Sequence, residues 1–311
     1  MEKMSKKKTL ITGVSGFIGR YLARFFTQRG HDVHGVDSNA EEHAPMGDLN
    51  SYAQMHLPSE KLGLLIANLQ PELVVHCAGR ASVPLSVSDP RTDFFSGPVL
   101  TWEVLDAIRL NAPGCRFIFL SSAAVYGCPA KLPVNEGDAL RPISPYGAHK
   151  WQSEGICREF SHLFGVPTAS ARIFSAYGPG LRRQVLWDLC HKAITHGRIE
   201  AQGTGAESRD FIHVSDICQG VALLAEFAPL VGEVYNFGSG EETSIRGLVH
   251  MIVQALGFDC PCEFNGKVPT GTPLNWRADI SALCKLGFEP KVAIADGIHS
   301  YAQWCKGELG P

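Results

Sequence analysis

The sequence lacks long apolar runs and carries little net charge. No stretch approaches the roughly 20 apolar residues of a transmembrane helix, and the first residues show neither the apolar core nor the cleavage site of a signal peptide. The formal net charge of the 311 residues is -3. Lysines 3, 6, 7 and 8 form the only charge run, which predicts a solvated start before the first strand. We therefore expect neither a membrane nor a nucleic acid as partner.

The sequence also lacks the cysteine spacings of a metal site. None of the ten cysteines forms a C-x-x-C pair, and the closest two are Cys260 and Cys262. No histidine or cysteine cluster has ligand spacing, so no metal is expected. Several cysteines lie in apolar runs, as Cys77 does in VVHCAG. This usage is typical of reduced thiols and predicts a cytoplasmic protein.

What the chain does contain is a hydrophobic fraction of 45%, sufficient for one large α/β unit. In its first half, apolar strands alternate with helical stretches, which predicts parallel βαβ units in a doubly wound α/β sheet. The predicted strands are 8–12, 32–36, 73–77, 116–121 and 166–172, and the predicted helices are 17–29, 59–69, 98–110 and 145–163.

The pattern loosens after about residue 175. Glycine, proline and polar residues become frequent, for example at 202–210, 236–242 and 269–273, and one strand-like run at 234–238 could return to the sheet. We therefore predict one domain over 1–174, with a returning strand near 233–238. A smaller C-terminal lobe of short elements and loops would follow over 175–311 and bind the substrate, because loops on a rigid sheet usually carry specificity.

A glycine-rich turn joins the first strand to the first helix. Gly13, Gly16 and Gly19 have the spacing GxxGxxG, which lets the backbone approach a pyrophosphate at a helix N-terminus. Asp37 ends the second strand about 20 residues later, where an acid binds the adenine ribose hydroxyls and repels a 2′-phosphate. These residues predict a Rossmann dinucleotide site that prefers NAD to NADP, although Asp37 by itself could be a surface turn acid.

A tyrosine and a lysine are spaced by one helical turn in SPYGAHK. Tyr146 and Lys150 would lie on one helix face, where the ammonium can lower the pKa of the phenol for proton exchange. This spacing also arises by chance. Ser121 and Ser122 end the fourth strand, at the sheet edge where a ligand sits, although such serines are often only caps. Together the serines and the Tyr–Lys pair predict an active site.

Stretches along nearly the whole chain resemble one family. They are TGVSGFIG (12–19), VVHCAG (74–79), SSAAVYG (121–127), SPYGAHK (144–150), ARIFSAYGPG (171–180), RDFIHVSD (209–216), VYNFGSGE (234–241) and RADISALCKLGFEP (277–290). In this order they resemble the extended short-chain dehydrogenases that act on nucleotide sugars, a group of epimerases, reductases and dehydratases of the UDP-glucose 4-epimerase type.

The resemblance implies roles for individual residues. Tyr146 would be the acid/base, Lys150 its partner and Ser122 the hydroxyl that orients the substrate. The implied NAD-binding residues are Gly13, Gly16, Phe17, Ile18, Gly19, Asp37, Asp48, Leu49, Cys77, Ala78, Gly79, Ser121, Tyr146 and Lys150. The implied substrate-binding residues are Ser82, Ser122, Ser175, Arg209 and Arg277. His213, within the same motif as Arg209, is expected to be structural.

The family also implies a homodimer, paired through the helices at 98–110 and 145–163. Leu100, Val104 and Leu105 would contribute either to that interface or to packing on the sheet. Arg182, Arg183 and Trp187 follow the YGPG turn, where the substrate lobe begins. The sequence leaves open whether these three residues contact the substrate.

Several positions depart from the family pattern. Ala123-Ala124 replaces the Asp-Glu pair that dehydratases use to eliminate water, which argues against a 4,6-dehydratase. Ser96 and Ser175 stand where the family usually has asparagine. The span between Asp37 and Asp48 is short for an epimerase and closer to that of the 4-keto-sugar reductases.

Three functional hypotheses follow. The leading one is an NAD-dependent epimerase that acts at C4 of a nucleotide-diphosphate sugar through a 4-keto intermediate. The second is an NAD(P)H-dependent reductase of a nucleotide-linked 4-keto-6-deoxy sugar, with Tyr146 as the acid. The third, from another class, is a dinucleotide-binding sensor without chemistry, a reading that the combination of Ser122, Tyr146 and Lys150 disfavours.

Overall fold

A parallel sheet of seven strands forms the centre of the molecule. The computed structural model describes residues 6–267 and 274–310. Lys3 of the lysine run and the glycine- and proline-rich run at 269–273 lie outside these residues. The strands are β1 (Lys8–Thr12), β2 (Asp32–Asp37), β3 (Ser51–Gln54), β4 (Leu73–His76), β5 (Arg116–Ser122), β6 (Thr168–Ile173), β7 (Ser175–Tyr177), β8 (Ile199–Ala201), β9 (Ser208–Arg209), β10 (Phe211–His213), β11 (Val231–Phe237), β12 (Thr243–Ser244) and β13 (Cys262–Phe264).

Helices alternate with these strands through most of the chain. They are α1 (Phe17–Gln28), α2 (Lys61–Leu69), α3 (Val83–Ser88), α4 (Pro90–Phe94), α5 (Leu100–Asn111), α6 (Pro145–Phe164), α7 (Gln184–His196), α8 (Val214–Phe227), α9 (Ile245–Leu256), α10 (Ser281–Cys284) and α11 (Ile294–Leu309). A π-helix at Phe95–Val99 leads into α5, and short 3-10 helices lie at Glu41–His43, Met46–Asp48 and Ala123–Tyr126. No helix in the two described ranges is long and apolar enough to cross a membrane.

The strand order is β11-β6-β5-β4-β1-β2-β3. The chain builds outward from β1 to β3, then returns to the other side of β1 and continues from β4 to β11. This reversal leaves a crevice between the carboxyl ends of β1 and β4, the point at which doubly wound sheets bind ligands. The predicted fold class, a Rossmann α/β sheet, is confirmed, and β11 supplies the predicted returning strand.

Both faces of the sheet are covered by helices. Successive residues of one strand point to opposite layers, so Ile11 packs with α1 and α8 whereas Leu10 packs with α2, α5 and α6. Both residues are fully buried. Strands buried on both sides appear in the sequence as continuous apolar runs, and this is why their positions were predictable.

A second core lies in the C-terminal part of the chain. Buried side chains of α7, α9 and α11 pack together there, among them Leu189, Leu248 and Ile298. The expectation of short elements and loops was wrong for this region, because α7 has 13 residues, α9 has 12 and α11 has 16. These amphipathic helices are separated by loops rich in glycine, proline and polar residues. The composition of the loops led to the prediction that the whole region is irregular.

Two further details differ from the sequence expectations. Strand β3 was not predicted, because its four residues, SYAQ, form an exposed edge without an apolar run. The helix expected from residue 98 begins as an α-helix at Leu100, after the π-helix that contains Pro98. Leu100, Val104 and Leu105 are at most 3% exposed and belong to the core beneath the sheet, so the sheet-packing alternative for them is correct.

Candidate functional site

A cleft of about 640 Å³ opens at the carboxyl edge of the sheet, between β1, β4, β5 and the C-terminal lobe. Residues predicted as cofactor- or substrate-binding line it from both sides. They are Gly13, Gly16, Phe17, Ile18, Gly19, Cys77, Gly79, Ser82, Ser121, Ser122, Tyr146, Lys150, Ser175 and Arg209. Asp37, Asp48, Leu49, Ala78 and Arg277 are not part of this lining. The fold thus brings most of the predicted residues together from segments distant in sequence.

The glycine-rich turn passes too close to its neighbours for side chains at two positions. A Cβ atom on Gly13, whose φ is +70°, would lie 2.6 Å from the backbone nitrogen of Ala78. A Cβ atom on Gly19 would lie 2.3 Å from the carbonyl oxygen of Gly13. Helix α1 begins directly after this turn, with no side-chain cap and no acidic residue in its first turn. Its N-terminus is therefore suited to an anion such as a pyrophosphate.

Asp37 lies at the carboxyl end of β2, beside this turn. Its Oδ2 accepts a hydrogen bond from the backbone N–H of Ser15 at 3.0 Å, and its Oδ1 accepts one from Asn39 at 3.1 Å. These bonds fix the carboxylate at the edge of the glycine turn, where an adenosine ribose would reach it.

Asp48 and Leu49 lie farther along the same side. The Asp48 carboxylate is 3.4 Å from the guanidinium of Arg24, and its carbonyl accepts a hydrogen bond from the Thr27 hydroxyl at 2.7 Å. Leu49 is half-buried and approaches Gly35 on β2. The predicted adenine contact of Asp48 and Leu49 stays a prediction.

Helix α6 carries the Tyr–Lys pair into the cleft. Ser144 caps the helix by accepting a hydrogen bond from Gly147, and the Tyr146 backbone N–H donates to Ser86 Oγ at 3.0 Å. Lys150 Nζ donates to the carbonyl of Leu120 on β5 at 2.8 Å and lies 5.9 Å from the centre of the Tyr146 ring. The ammonium is thus held against the carboxyl end of β5, on the same face of α6 as the phenol.

The environment of the cleft shifts the pKa of both Tyr146 and Lys150. Burial lowers the pKa of Lys150 to about 8, and neighbouring thiol and carboxylate groups oppose this shift. Burial also raises the pKa of Tyr146, whereas hydrogen bonding by Ser122 and the positive charge of Arg183 lower it. Tyr146 therefore starts as a neutral phenol whose ionisation is assisted by the Ser122 hydroxyl and by the Arg183 guanidinium.

A buried polar network contacts Ser121, one of the residues that line the cleft. The Ser121 hydroxyl donates to Glu154 Oε1 at 2.6 Å, and Arg172 forms a two-point ion pair with the same carboxylate, with its Nη2 2.7 Å from Oε2. The Arg172 guanidinium also donates to the Tyr126 hydroxyl, which donates to Asn236 on β11. Glu154 and Arg172 are at most 2% exposed.

The network ties α6 to β5, β6 and β11. Sequence reasoning missed Glu154 and Arg172. The only available signal was that Glu154 follows Lys150 by one helical turn, which places its side chain on the same helix face.

The C-terminal lobe closes the other side of the cleft. The Arg209 guanidinium donates to the carbonyls of Ser208 at 2.6 Å and Leu274 at 3.1 Å, and lies 5.7 Å from the ring centre of Trp276. Trp276, which sequence reasoning missed, lines the cleft, whereas Arg277 is exposed and donates to the carbonyl of Gly240.

The remaining predicted positions have structural contacts as well. Ser82 caps α3 by accepting a hydrogen bond from Leu85. The Ser175 backbone N–H donates to the carbonyl of Asp210, and His213 caps α8 through its ring nitrogen. The Asp210 carboxylate, between β9 and β10, is buried and accepts three backbone hydrogen bonds, from Ser239, Gly240 and Ala278. These bonds join the β9–β10 segment to the loops that contain residues 239–240 and 278.

The side chains of the two arginines after the YGPG turn have different partners. Arg182 forms an ion pair with Glu308 and lies over the ring of Trp304, outside the cleft lining. Arg183 lines the cleft and donates to the carbonyl of Ala81 at 3.0 Å. Trp187 packs against Trp304 and does not line the cleft. The structure thus separates three residues that the sequence could not distinguish.

Comparison with known proteins gives consistent results. The model of the NAD dependent epimerase/dehydratase family matches residues 9–238. The chain is 30% identical over 306 residues to the UDP-glucose 4-epimerase of Mycolicibacterium smegmatis, covering 94% of this chain and 96% of that protein. It is 27% identical to a probable UDP-glucuronate 4-epimerase of Rhizobium meliloti, covering 95% of this chain and 96% of the relative.

Solved structures are similar over the same length. The UDP-glucuronic acid 4-epimerase from Bacillus cereus, in complex with UDP-glucuronic acid and NAD, superposes with a TM-score of 0.88 at 26% identity. The match covers 97% of this chain and 99% of that chain.

Proposed function

Because this chain belongs to the NAD dependent epimerase/dehydratase family, we propose that it is an NAD-dependent 4-epimerase of a nucleotide-diphosphate sugar. The observation that carries this proposal is the meeting of Ser122, Tyr146 and Lys150 in one cleft with the glycine turn of α1. The same cleft contains Arg209, on the side opposite the sheet. A dinucleotide and a second diphosphate can therefore be bound together.

The residues of the cofactor side fit NAD. The turn at Gly13 and Gly19 leaves no room for a Cβ atom, the N-terminus of α1 carries no cap, and Asp37 stands beside it. Gly13, Gly16 and Gly19 would hold the pyrophosphate, Asp37 the adenosine ribose and Lys150 the nicotinamide ribose. When bound, NAD supplies a reversible hydride acceptor.

Residues of the chain would transfer the proton of the sugar 4-hydroxyl. As the phenolate, Tyr146 would take the proton from the sugar 4-hydroxyl, and it would return that proton after the 4-keto sugar has turned to present its other face. Lys150, held by the carbonyl of Leu120, keeps a positive charge near the phenol and favours its ionised form. Ser122 would bind the same sugar oxygen and hold it against Tyr146. Arg209 would bind the diphosphate that anchors the sugar while it rotates.

Release of the bound cofactor tests this proposal. We expect denaturation of the purified protein to release about one NAD per chain, since an epimerase recycles its cofactor internally. Tyr146→Phe should lower the turnover of UDP-hexoses by at least about 10³-fold and leave the released NAD unchanged. Tyr235→Phe, a buried tyrosine outside the cleft lining, is the matched control and should retain turnover.

Other outcomes identify the alternatives. A site that binds and releases NADH or NADPH reversibly, together with reduction of a nucleotide-linked 4-keto-6-deoxy sugar, would replace the epimerase by the reductase. Binding of NAD without turnover of any nucleotide sugar would favour the sensor. Full turnover in Tyr146→Phe would contradict the role of that phenol.

We also propose that the active form is a homodimer. Five aromatic side chains of α4, the π-helix, α5 and α6 are between 40% and 47% exposed; they are Phe94, Phe95, Trp102, Trp151 and Phe164. Trp102 and Phe164 both pack against Phe160, which makes this aromatic face continuous between α5 and α6. A second copy of the chain would cover the aromatic face about a two-fold axis.

The cytoplasmic location stays a prediction. It is supported by the ten cysteines, all of which carry free thiols in the structure.

A further inference from the structure

A buried histidine–aspartate pair lies next to the Tyr–Lys pair of α6. His149 on α6 and Asp93 on α4 approach to 2.6 Å between Nδ1 and Oδ2. Their side chains are only 14% and 3% exposed, and the Phe94 ring packs edge-to-face with the imidazole, with 5.4 Å between the ring centres. Within residues 6–267 and 274–310, His149 is the only hydrogen-bond partner of this carboxylate.

The pair joins α6 to a segment that also contacts the cofactor side of the cleft. Asp93 precedes the π-helix, and a Cβ atom on Gly97 of that π-helix would lie 3.6 Å from the Cβ atom of His149. On its other side, the Ser96 carbonyl oxygen would lie 2.8 Å from a Cβ atom on Gly79, which lines the cleft. The π-helix therefore fits between α6 and the loop after β4. Such helices are rare and are frequently found at functional sites.

Two hydrogen bonds attach the α3–α4 segment to the first turns of α6. The Tyr146 backbone N–H donates to Ser86 Oγ on α3, and three residues later His149 binds Asp93. Residues three apart on a helix are neighbours, with about 5–6 Å between their Cβ atoms. Lys150 follows His149 directly in the sequence. The histidine–aspartate pair thus lies within one helical turn of both groups to which the proposed function gives the proton chemistry.

The net charge of the pair depends on one proton. An ionised carboxylate only accepts hydrogen bonds, so Nδ1 of His149 carries a proton and donates it to the bond with Asp93. With that single proton the imidazole is neutral and leaves an uncompensated negative charge at a buried position, which is unfavourable. A second proton, at Nε2, converts the two side chains into an ion pair without net charge.

A negative charge at Asp93 acts against the ionised form of Tyr146. Burial, and as a smaller cause Asp93, raise the pKa of Tyr146, whereas the Ser122 hydroxyl and the Arg183 guanidinium lower it. The phenol takes a proton from a sugar hydroxyl only in its ionised form. An uncompensated Asp93 would therefore oppose this step, and a protonated His149 would cancel its effect.

No other cation among the described residues forms an ion pair with Asp93. Helix α3 and the π-helix carry no titratable side chain. Arg91 on α4 is exposed, with its guanidinium 5.8 Å from the ring centre of Phe95. The remaining charged or titratable groups of the surroundings are Tyr146, Lys150 and Arg183 in the cleft, the ion pairs Arg80–Asp89, Arg172–Glu154 and Arg109–Asp106, and the exposed Glu103.

We propose that Asp93 and His149 are positioning residues for Tyr146: His149 is protonated in the active enzyme, and its charge cancels that of the carboxylate behind the phenol. This inference rests on the proposed function, which gives Tyr146 the proton transfer. It adds two residues that lie outside the lining of the cleft and contact neither substrate nor cofactor there.

The ultraviolet absorbance of tyrosinate measures the ionisation of Tyr146 without any substrate. The protein is titrated as purified, and the signal of the same variant carrying Tyr146→Phe is subtracted, so that the other tyrosines cancel. His149→Asn keeps a donor near the position of Nδ1 but cannot take up a proton. We expect it to raise the midpoint of Tyr146 ionisation by about 0.5 to 1 pH unit.

The double variant Asp93→Asn/His149→Asn separates charge from structure. Neither position then carries a charge, so the midpoint should return to that of the unaltered chain. Asp93→Asn alone should leave the midpoint unchanged or lower it. His162→Asn is the matched control, because His162 is an exposed histidine of the same helix whose ring contacts the Val231 carbonyl. It should not move the midpoint.

Turnover provides a second measurement. On a nucleotide sugar that the unaltered chain converts, kcat near neutral pH should fall about 3- to 10-fold in His149→Asn, with KM changed by less than about 2-fold. The double variant should recover kcat. A purely structural pair would instead leave the double variant at least as impaired as either single one.

An unchanged midpoint in His149→Asn would overturn the proposal, as would a raised midpoint that persists in the double variant. If His149→Asn does not fold, Asp93→Asn decides, because a raised midpoint in that variant would overturn the proposal as well. The absence of turnover on every nucleotide sugar would reject the proposed function, whereas the titration of Tyr146 would still show whether the pair acts on the phenol.

Discussion

A single buried histidine is expected to limit the stability of the protein in acid. His76, the last residue of β4, is 1% exposed; it shares a hydrogen bond of 2.7 Å with the Thr12 hydroxyl and stacks on Phe119. Burial, and secondarily the charge of Lys150, lower the pKa of His76 from 6.5 to about 3. The folded chain therefore keeps this ring neutral at pH values at which the unfolded chain protonates it.

The sign of the pH dependence follows from this difference. Between about pH 6.5 and pH 3 the unfolded state binds one more proton at His76, so the free energy of unfolding falls as the pH falls, by up to about 1.4 kcal/mol per pH unit. We predict that His76→Asn lowers this slope by about 1 kcal/mol per unit between pH 6 and pH 4, measured by urea unfolding. His299→Asn, at an exposed position on α11, should not change it. An unchanged slope in His76→Asn would contradict the assignment.

At the scale of one element, the β1–α1 turn determines whether the cofactor can bind. The Cβ atom of Gly19→Ala would overlap the Gly13 carbonyl oxygen, so the turn must move away from the position that accepts a pyrophosphate. We predict that the NAD released per chain falls at least about 10-fold in this variant, while the circular dichroism spectrum stays that of the folded protein.

Gly114→Ala is the control for this substitution, because its added methyl group would meet no atom within 4 Å. Retention of a full complement of NAD in Gly19→Ala would show that the turn tolerates a side chain and would weaken the assignment of α1 as the pyrophosphate site.

At the scale of the whole molecule, the exposed aromatic face of α5 and α6 predicts the assembly. In sedimentation equilibrium the chain should have twice the 33.7 kDa mass of one protomer. Trp102→Glu places a charge in the proposed interface and should shift the mass to that of the monomer, since an unpaired buried charge is strongly unfavourable there.

Leu64→Glu is the matched control, because Leu64 is 67% exposed on α2, outside the aromatic face. A Trp102→Glu variant that keeps the mass of the unaltered chain, or an unaltered chain that sediments as a monomer, would reject this interface.

The sequence by itself determined the strand and helix alternation, the glycine turn and the spacing of Tyr146 and Lys150. These features are local: strands buried on both faces are continuous apolar runs, and a separation of four residues places two side chains on one helix face. For the same reason the edge strand β3, which has no apolar run, could not be predicted from its sequence. The substrate-binding residues were predicted from the family resemblance, because no local pattern identifies them.

Only the tertiary structure decided which residues meet. Glu154 and Arg172 belong to different elements, and their pairing beneath Ser121 follows from the packing of α6 on β5 and β6. Arg182 and Arg183 are adjacent and identical in chemistry, yet one pairs with Glu308 and the other enters the cleft. The physical reason is that these partners are brought together by chain segments far apart in sequence, and no local spacing encodes such contacts.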